Sequence, residues 1–228
     1  MLACFAFLAS FSHNRHKIKK VKNIDIEYQQ DKEIYIDRAT VNKLLIQNKK
    51  QVKDIPLEHL DLNLIETQVE ANPMVESAEV FINIDRTLNA VIKQRKPLAR
   101  VIGSQQYYID SKGKKMPLSE HYSARVPIVW GLTEKDMASA YKLIEFIQQD
   151  LFLKQNITQI RTYPKSQFGL NFRHQKFKIF IGKVEQLEQK FMNFKAFYIK
   201  AEKDKLLKNY KRIDLQYGKQ VVCEKFES

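Results

Sequence analysis

The sequence predicts an α+β fold, and three observations carry that reading. Residues 61–97, DLNLIETQVEANPMVESAEVFINIDRTLNAVIKQRKP, switch once from three-four hydrophobic spacing to strict alternation. Upstream lie one alternating stretch and one further helical stretch, so the order is strand, helix, helix, strand, strand. Downstream, short alternating runs dominate and are interrupted twice by helical spacing. Two helices on one face of a three-stranded sheet, then a mixed or antiparallel β domain with packed helices, is the layer arrangement this order gives.

Residues 1–12, MLACFAFLASFS, are nearly all apolar. A complete membrane span needs about 20 residues, and a secretory signal needs a basic start and a cleavage site that are not evident here. The stretch reads as the C-terminal half of a transmembrane helix, a core strand or disordered terminus being the other reading. Arg15, Lys17, Lys19, Lys20 and Lys22 follow. Such flanks usually stay cytoplasmic, and they equally suit lipid head groups. Residues 1–20 are therefore set apart from the folded chain.

Ile24, Ile26 and Tyr28 alternate as a first strand, and Ile34 and Ile36 as a short second extended piece. Asp37 caps a helix with Val41, Leu44 and Leu45 on one face. In the next helix Leu62, Ile65 and Val69 share a face, with Asn63 as cap and Glu66 completing a capping box. The helix stops at Asn72, since the residue before a proline avoids helical geometry. Ala78, Val80, Ile82 and Ile84 alternate, Asp85-Arg86 turns the chain, and Leu88, Ala90 and Ile92 alternate back until Pro97 ends the strand. The first domain spans residues 21–97.

Residues 98–228 form the second domain. Residues 98–102 and 107–109 read as strands, with a turn at Asp110-Ser111-Lys112-Gly113. In ARVPIVWG, Trp130 is expected as a core anchor. Thr133, with Asp136 three positions on, opens a helix whose apolar face is Met137, Ala140, Tyr141, Ile144 and Ile147. Three strand candidates follow: residues 157–163, then Phe168, Leu170 and Phe172, then Phe177, Ile179 and Ile181. Val184, Leu187, Phe191, Phe194, Tyr198 and Ala201 repeat at three-four spacing. Their bulk suits a helix laid on a sheet rather than a coiled-coil seam. Ile213, Leu215 and Tyr217 alternate, Gly218-Lys219 makes a two-residue hairpin loop, and residues 221–226 return as a final strand.

The 228 residues carry 39 Lys and Arg against 26 Asp and Glu, a net charge of +13. That excess invites an anionic membrane, an acidic partner or nucleic acid, or leaves a solvated basic surface. Cys4 and Cys223 give no disulfide framework. No phosphate-binding glycine loop, nucleophile elbow or zinc-binding helix motif is present. His13 and His16 sit amid cations that repel a metal ion, and His59, His121 and His174 stand apart from any cysteine. No paired carboxylates suggest acid-base work. The reading is of a protein without catalytic residues, metal or cofactor. The run FGLNFRHQKFKIF mixes aromatics with cations as single-strand binders do. Yet Phe168, Leu170 and Phe172 have the spacing of a buried sheet face, which leaves Arg173, Lys176 and Lys178 as solvated neighbours.

A family resemblance rests on these residues. Asn72-Pro73, then Val75, Ala78 and Val80, then Thr87-Leu88, Ile92, Arg95 and Pro97 are similar to the POTRA module. The variant resembles the FtsQ/DivIB family of bacterial cell-division proteins. Met74 and Ile84-Asp85 depart from the tryptophan and Trp-Pro pair often found there. The Asp110 to Gly113 turn, Pro127 and Gly131 have family counterparts. Ile213, Asp214, Leu215 and Tyr217 match the family's ending, with Gln216 in place of an arginine and the turn shortened before Gly218.

The resemblance implies a non-enzymatic, single-pass inner-membrane scaffold, its bulk extracytoplasmic at the septum, regulating septal peptidoglycan synthesis through FtsB- and FtsL-type (DivIC-type) partners. That placement conflicts with the basic flank. It also implies that partners add a strand to a terminal sheet edge, at Tyr217, Gly218, Val221, Val222, Cys223 and Phe226. Lys219 and Lys225 suit acidic partner residues and discourage self-pairing. An ordinary closing hairpin is the alternative for these residues. For the whole chain the alternatives are a POTRA-type docking receptor of protein export or outer-membrane assembly and a basic nucleic-acid-binding protein.

Overall fold

The structure, a computed structural model, describes residues 20–29, 33–46, 56–57, 60–218 and 220–227. The apolar stretch 1–12, with Cys4, His13, His16, and His59, lies outside them. The described chain forms two compact units. The first takes in the described residues up to Arg95 together with Ser119–Ser123, and the second takes in the remainder.

In the first unit β1 (Asn23–Tyr28) is followed by α1 (Arg38–Ile46), α2 (Leu62–Glu70), β2 (Val75–Ile82) and β3 (Thr87–Gln94). The sheet order is β1-β3-β2, with β1 parallel and β2 antiparallel to the central β3. Val41, Leu45, Ile65 and Val69 from the helices meet Ile26, Val80, Leu88, Ala90 and Ile92 in one core. Asp37 caps α1 as expected, its carboxylate accepting the Thr40 N–H at 2.9 Å.

The buried Gln94 side chain holds the piece at Ile34 and Ile36, its Oε1 accepting the N–H groups of Tyr35 and Ile36 at 2.7 and 3.2 Å. Three expectations for this unit are corrected. The cap of α2 is Asp61, which accepts the Leu64 N–H at 3.0 Å. Asn63 therefore lies inside the helix, and Glu66 does not fold back to complete a capping box. Ile84 is wholly exposed in the β2–β3 turn, past the end of the strand. Pro97 ends nothing: β3 stops at Gln94, and Pro97 opens the next strand, a position where its missing N–H costs little.

Ser119–Ser123 also belongs to the first unit. Ser119 Oγ donates to the Tyr35 carbonyl at 2.6 Å, the Tyr122 hydroxyl donates to Glu33 at 2.8 Å, and the Tyr35 and Tyr122 rings meet edge to face at 5.5 Å.

The second unit runs β4 (Pro97–Ile102), β5 (Tyr107–Asp110), β6 (Lys115–Met116), β7 (Ile128–Trp130), α3 (Met137–Gln149), α4 (Leu151–Asn156), β8 (Ile157–Tyr163), β9 (Gln167–Phe172), β10 (Lys178–Gly182), α5 (Leu187–Lys203), β11 (Tyr210–Asp214) and β12 (Val222–Lys225). Its nine strands form one mixed sheet in the order β12-β11-β10-β9-β8-β7-β4-β5-β6. Ala140, Leu143, Ile144 and Ile147 of α3 and Leu187, Phe191 and Phe194 of α5 pack with Val129, Ile160, Leu170, Ile179 and Ile213. Fully burying a side chain of this size contributes about 1.5–3 kcal/mol, so α5 holds by packing rather than by propensity.

Three details differ from expectation here. Trp130 is only half-buried, and Val129 beside it is the core residue, because strand alternation sends neighbours to opposite faces. The Thr133 hydroxyl donates to the Asp136 carboxylate at 2.5 Å, so the pair bonds side chain to side chain without capping α3. The last two strands are not joined by a two-residue loop. Asp214 pairs with Val222, so residues 215–221 connect them.

Candidate partner-binding edge and basic sheet face

The strand β12 pairs with β11 and stands last in the sheet order. The register sets Asp214 against Val222, Ile213 against Cys223 and Arg212 against Glu224. The Phe226 N–H is bonded to the Asn209 carbonyl at 3.0 Å. Amides alternate in direction along an antiparallel strand, so those of Val222 and Glu224 also face β11, and those of Cys223 and Lys225 face away from it.

The sequence-expected residues fall unevenly about this rim. Tyr217, Val222 and Phe226 are exposed at 61%, 45% and 46%. Cys223 turns inward against the core, and burial pushes its thiol above the ordinary range. Val221 also packs on the core, and Lys225 is exposed. Gly218 has φ of 61°, a left-handed value that glycine adopts without strain. Lys219 lies outside the described residues.

The connection into β12 is held by polar contacts. Asp214 accepts the Gln216 N–H at 3.0 Å and its side-chain amide at 3.1 Å, and accepts from Arg212 at 2.8 Å. Gln216 lies over Gly182, where an added Cβ would stand 2.7 Å from Gln216 Cγ. Below it the buried Lys190 donates to the carbonyl oxygens of Ile181 and Lys183, each at 2.8 Å, and burial lowers its pKa.

Helices α3, α4 and α5 cover one face of the sheet. On the other face the opposite-parity side chains line a cleft of about 930 Å³. The Arg212 guanidinium sits 4.4 Å from the Phe180 ring centre, and Tyr163 meets Phe180 edge to face at 5.5 Å. Tyr163 in turn covers Gly169, where an added Cβ would stand 3.0 Å from Tyr163 Cε2 and the ring would have to give way slightly. Lys211 pairs with Glu224 at 2.7 Å and holds its carboxyl below the usual range. Arg161, Lys165, Lys176 and Lys178, all exposed, have no ion pair among the described residues. Sequence reading placed Lys176 and Lys178 in solvent but missed that Arg161 and Arg212 join them. The available signal was the polar parity of residues 159–163 and 176–180.

Among the described residues no three His, Cys, Asp or Glu side chains could hold a metal ion together, and no helix is long and apolar enough to cross a membrane. Phe168, Leu170 and Phe172 are buried, so the aromatics of that run form core.

A two-helix, three-stranded unit and a second unit built on one long mixed sheet make the architecture of a POTRA-like module with a β domain. The family described as FtsQ/DivIB, C-terminal related, matches residues 96–224, more than half of the chain, and the chain belongs to that family. Membership carries a role in cell division, in a family of non-enzymatic scaffolds that work through protein interactions. No curated protein matches the chain.

Proposed function

We propose that this protein is a scaffold of the cell-division complex, anchored in the bacterial inner membrane by a single pass to which residues 1–12 contribute. The rest of the chain stands on the extracytoplasmic side at the septum. It captures FtsB- and FtsL-type partners by strand addition along β12 and so regulates septal peptidoglycan synthesis. The observation that carries this reading is the position of β12 at the end of the nine-stranded order. The outward amides of Cys223 and Lys225 set the register of the added strand, while Tyr217, Val222 and Phe226 offer apolar contact beside it. Gly218 shapes the entry, Val221 anchors the strand, and Lys219 and Lys225 suit acidic residues of the partner. Arg161, Lys165, Lys176 and Lys178 suit an acidic part of the same partner crossing the open face.

The test is capture of an FtsB-like partner by Lys225→Pro and Phe226→Asp variants. Lys225→Pro removes an outward amide that faces away from β11 and has no partner among the described residues, and Phe226→Asp puts a charge beside the added strand. Both are expected to lose capture with native far-ultraviolet spectra. Unchanged capture by both removes strand addition at β12.

A further inference from the structure

Glu66 and Glu70 lie one turn apart on α2, and each reaches the outer side of β2. Glu66 accepts the Val80 N–H at 2.7 Å, and Glu70 accepts the Ala78 N–H at 3.0 Å. The helix runs against the strand, so the earlier glutamate meets the later amide. The spacings match: four helical residues rise about 6 Å, and two strand residues about 7 Å. Ala78 and Val80 are the central residues of β2 whose amides point away from β3, and β2 is a rim of the first unit's sheet. Two carboxylates thus occupy the donors that an incoming strand needs.

We infer that Glu66 and Glu70 are specificity-determining residues that close the β2 rim to strand addition. The occupant they exclude is β2 of a second copy. The strand invites such pairing: VESAEVFI is rich in β-formers, and Phe81 is 39% exposed. An antiparallel register centred on Val80 sets Glu79 against Phe81 and brings no two carboxylates opposite each other. With the rim closed, the first unit does not compete for extended segments. The inference does not rest on capture at β12, and its test involves no partner.

The experiment compares the full chain with Glu66→Ala/Glu70→Ala and Glu66→Gln/Glu70→Gln variants. Glutamine keeps an acceptor oxygen, and alanine does not. In sedimentation velocity over a hundredfold concentration range, the alanine variant is expected to self-associate while wild type and the glutamine variant do not. Hydrogen exchange at Ala78 and Val80 is expected to rise at least tenfold in the dilute alanine variant and to fall again on association. Should the double variant fail to fold, each single alanine variant is expected to speed exchange at its own amide alone. Absence of self-association in a folded alanine variant, or unchanged exchange at both amides, overturns the inference.

Discussion

The side-chain amide of Asn193, on α5, donates to the carbonyl oxygen of Gly218 at 3.0 Å. A helix packed on the sheet thereby holds the loop that delivers the chain to β12. A hydrogen bond of this kind contributes about 0.5–1.5 kcal/mol. Asn193→Ala is expected to lower global stability by no more than that in urea titration. Exchange of the amides between residues 215 and 221 should quicken, and partner capture should weaken several-fold. Equal exchange in variant and wild type would show that the loop holds its shape without Asn193.

Phe194 is fully buried and stands with Phe152, Phe172, Phe177 and Tyr198 at ring separations of 5.7 to 6.5 Å. Phe194→Ala removes the centre of that cluster. A cost of about 3–5 kcal/mol is expected, read as a drop in the urea midpoint of the second unit. A loss below about 1 kcal/mol would mean that the cluster closes over the gap.

The buried Asp136 accepts hydrogen bonds from Ser166 and Thr133, both at 2.5 Å, and these hold its carboxyl below the ordinary aspartate range. A depressed native value means that Asp136 stabilises the fold above the unfolded pKa of about 3.9. That contribution disappears as pH falls through the lower native value. Asp136→Asn should therefore be less stable than wild type at pH 7, with the difference shrinking below pH of about 4. Acid titration followed by Trp130 fluorescence measures it, and a difference independent of pH would assign the effect to packing.

Arg161 and Lys178 lie exposed on the open sheet face without ion pairs among the described residues. Arg161→Glu with Lys178→Glu should leave stability within about 0.5 kcal/mol. Partner association should slow, and its salt dependence should flatten, because exposed charges act through a screened field. Unaltered association rates at low salt would exclude this face from the encounter.

Much of the fold was legible because periodicity records which face is buried. Ile24 and Ile26, Phe168 to Phe172, and Phe191 to Tyr198 all lie where their spacing put them. Connections were less legible. Gly218 has the turn chemistry of a two-residue loop before β12. The pairing of Asp214 with Val222, set by contacts from Arg212 and Gln216, instead gives residues 215–221. Glu66 carried the signature of a capping box, yet Asp61 took the cap and left Glu66 to a strand distant in sequence. Long-range polar pairs of this kind leave no local pattern. The open sheet face was half visible, since parity marked the cations on each strand, but not which strands would lie side by side.

The marginal place of β12 in its sheet has a further result. A chain stopped after Tyr217 would keep the core residues of α3 and α5 and present β11 as the new boundary. The vacant groove would have the shape and register of residues 222–225 themselves. A synthetic peptide of that sequence would then act as a prosthesis on the shortened chain and, on the intact chain, would have nowhere to dock but outside.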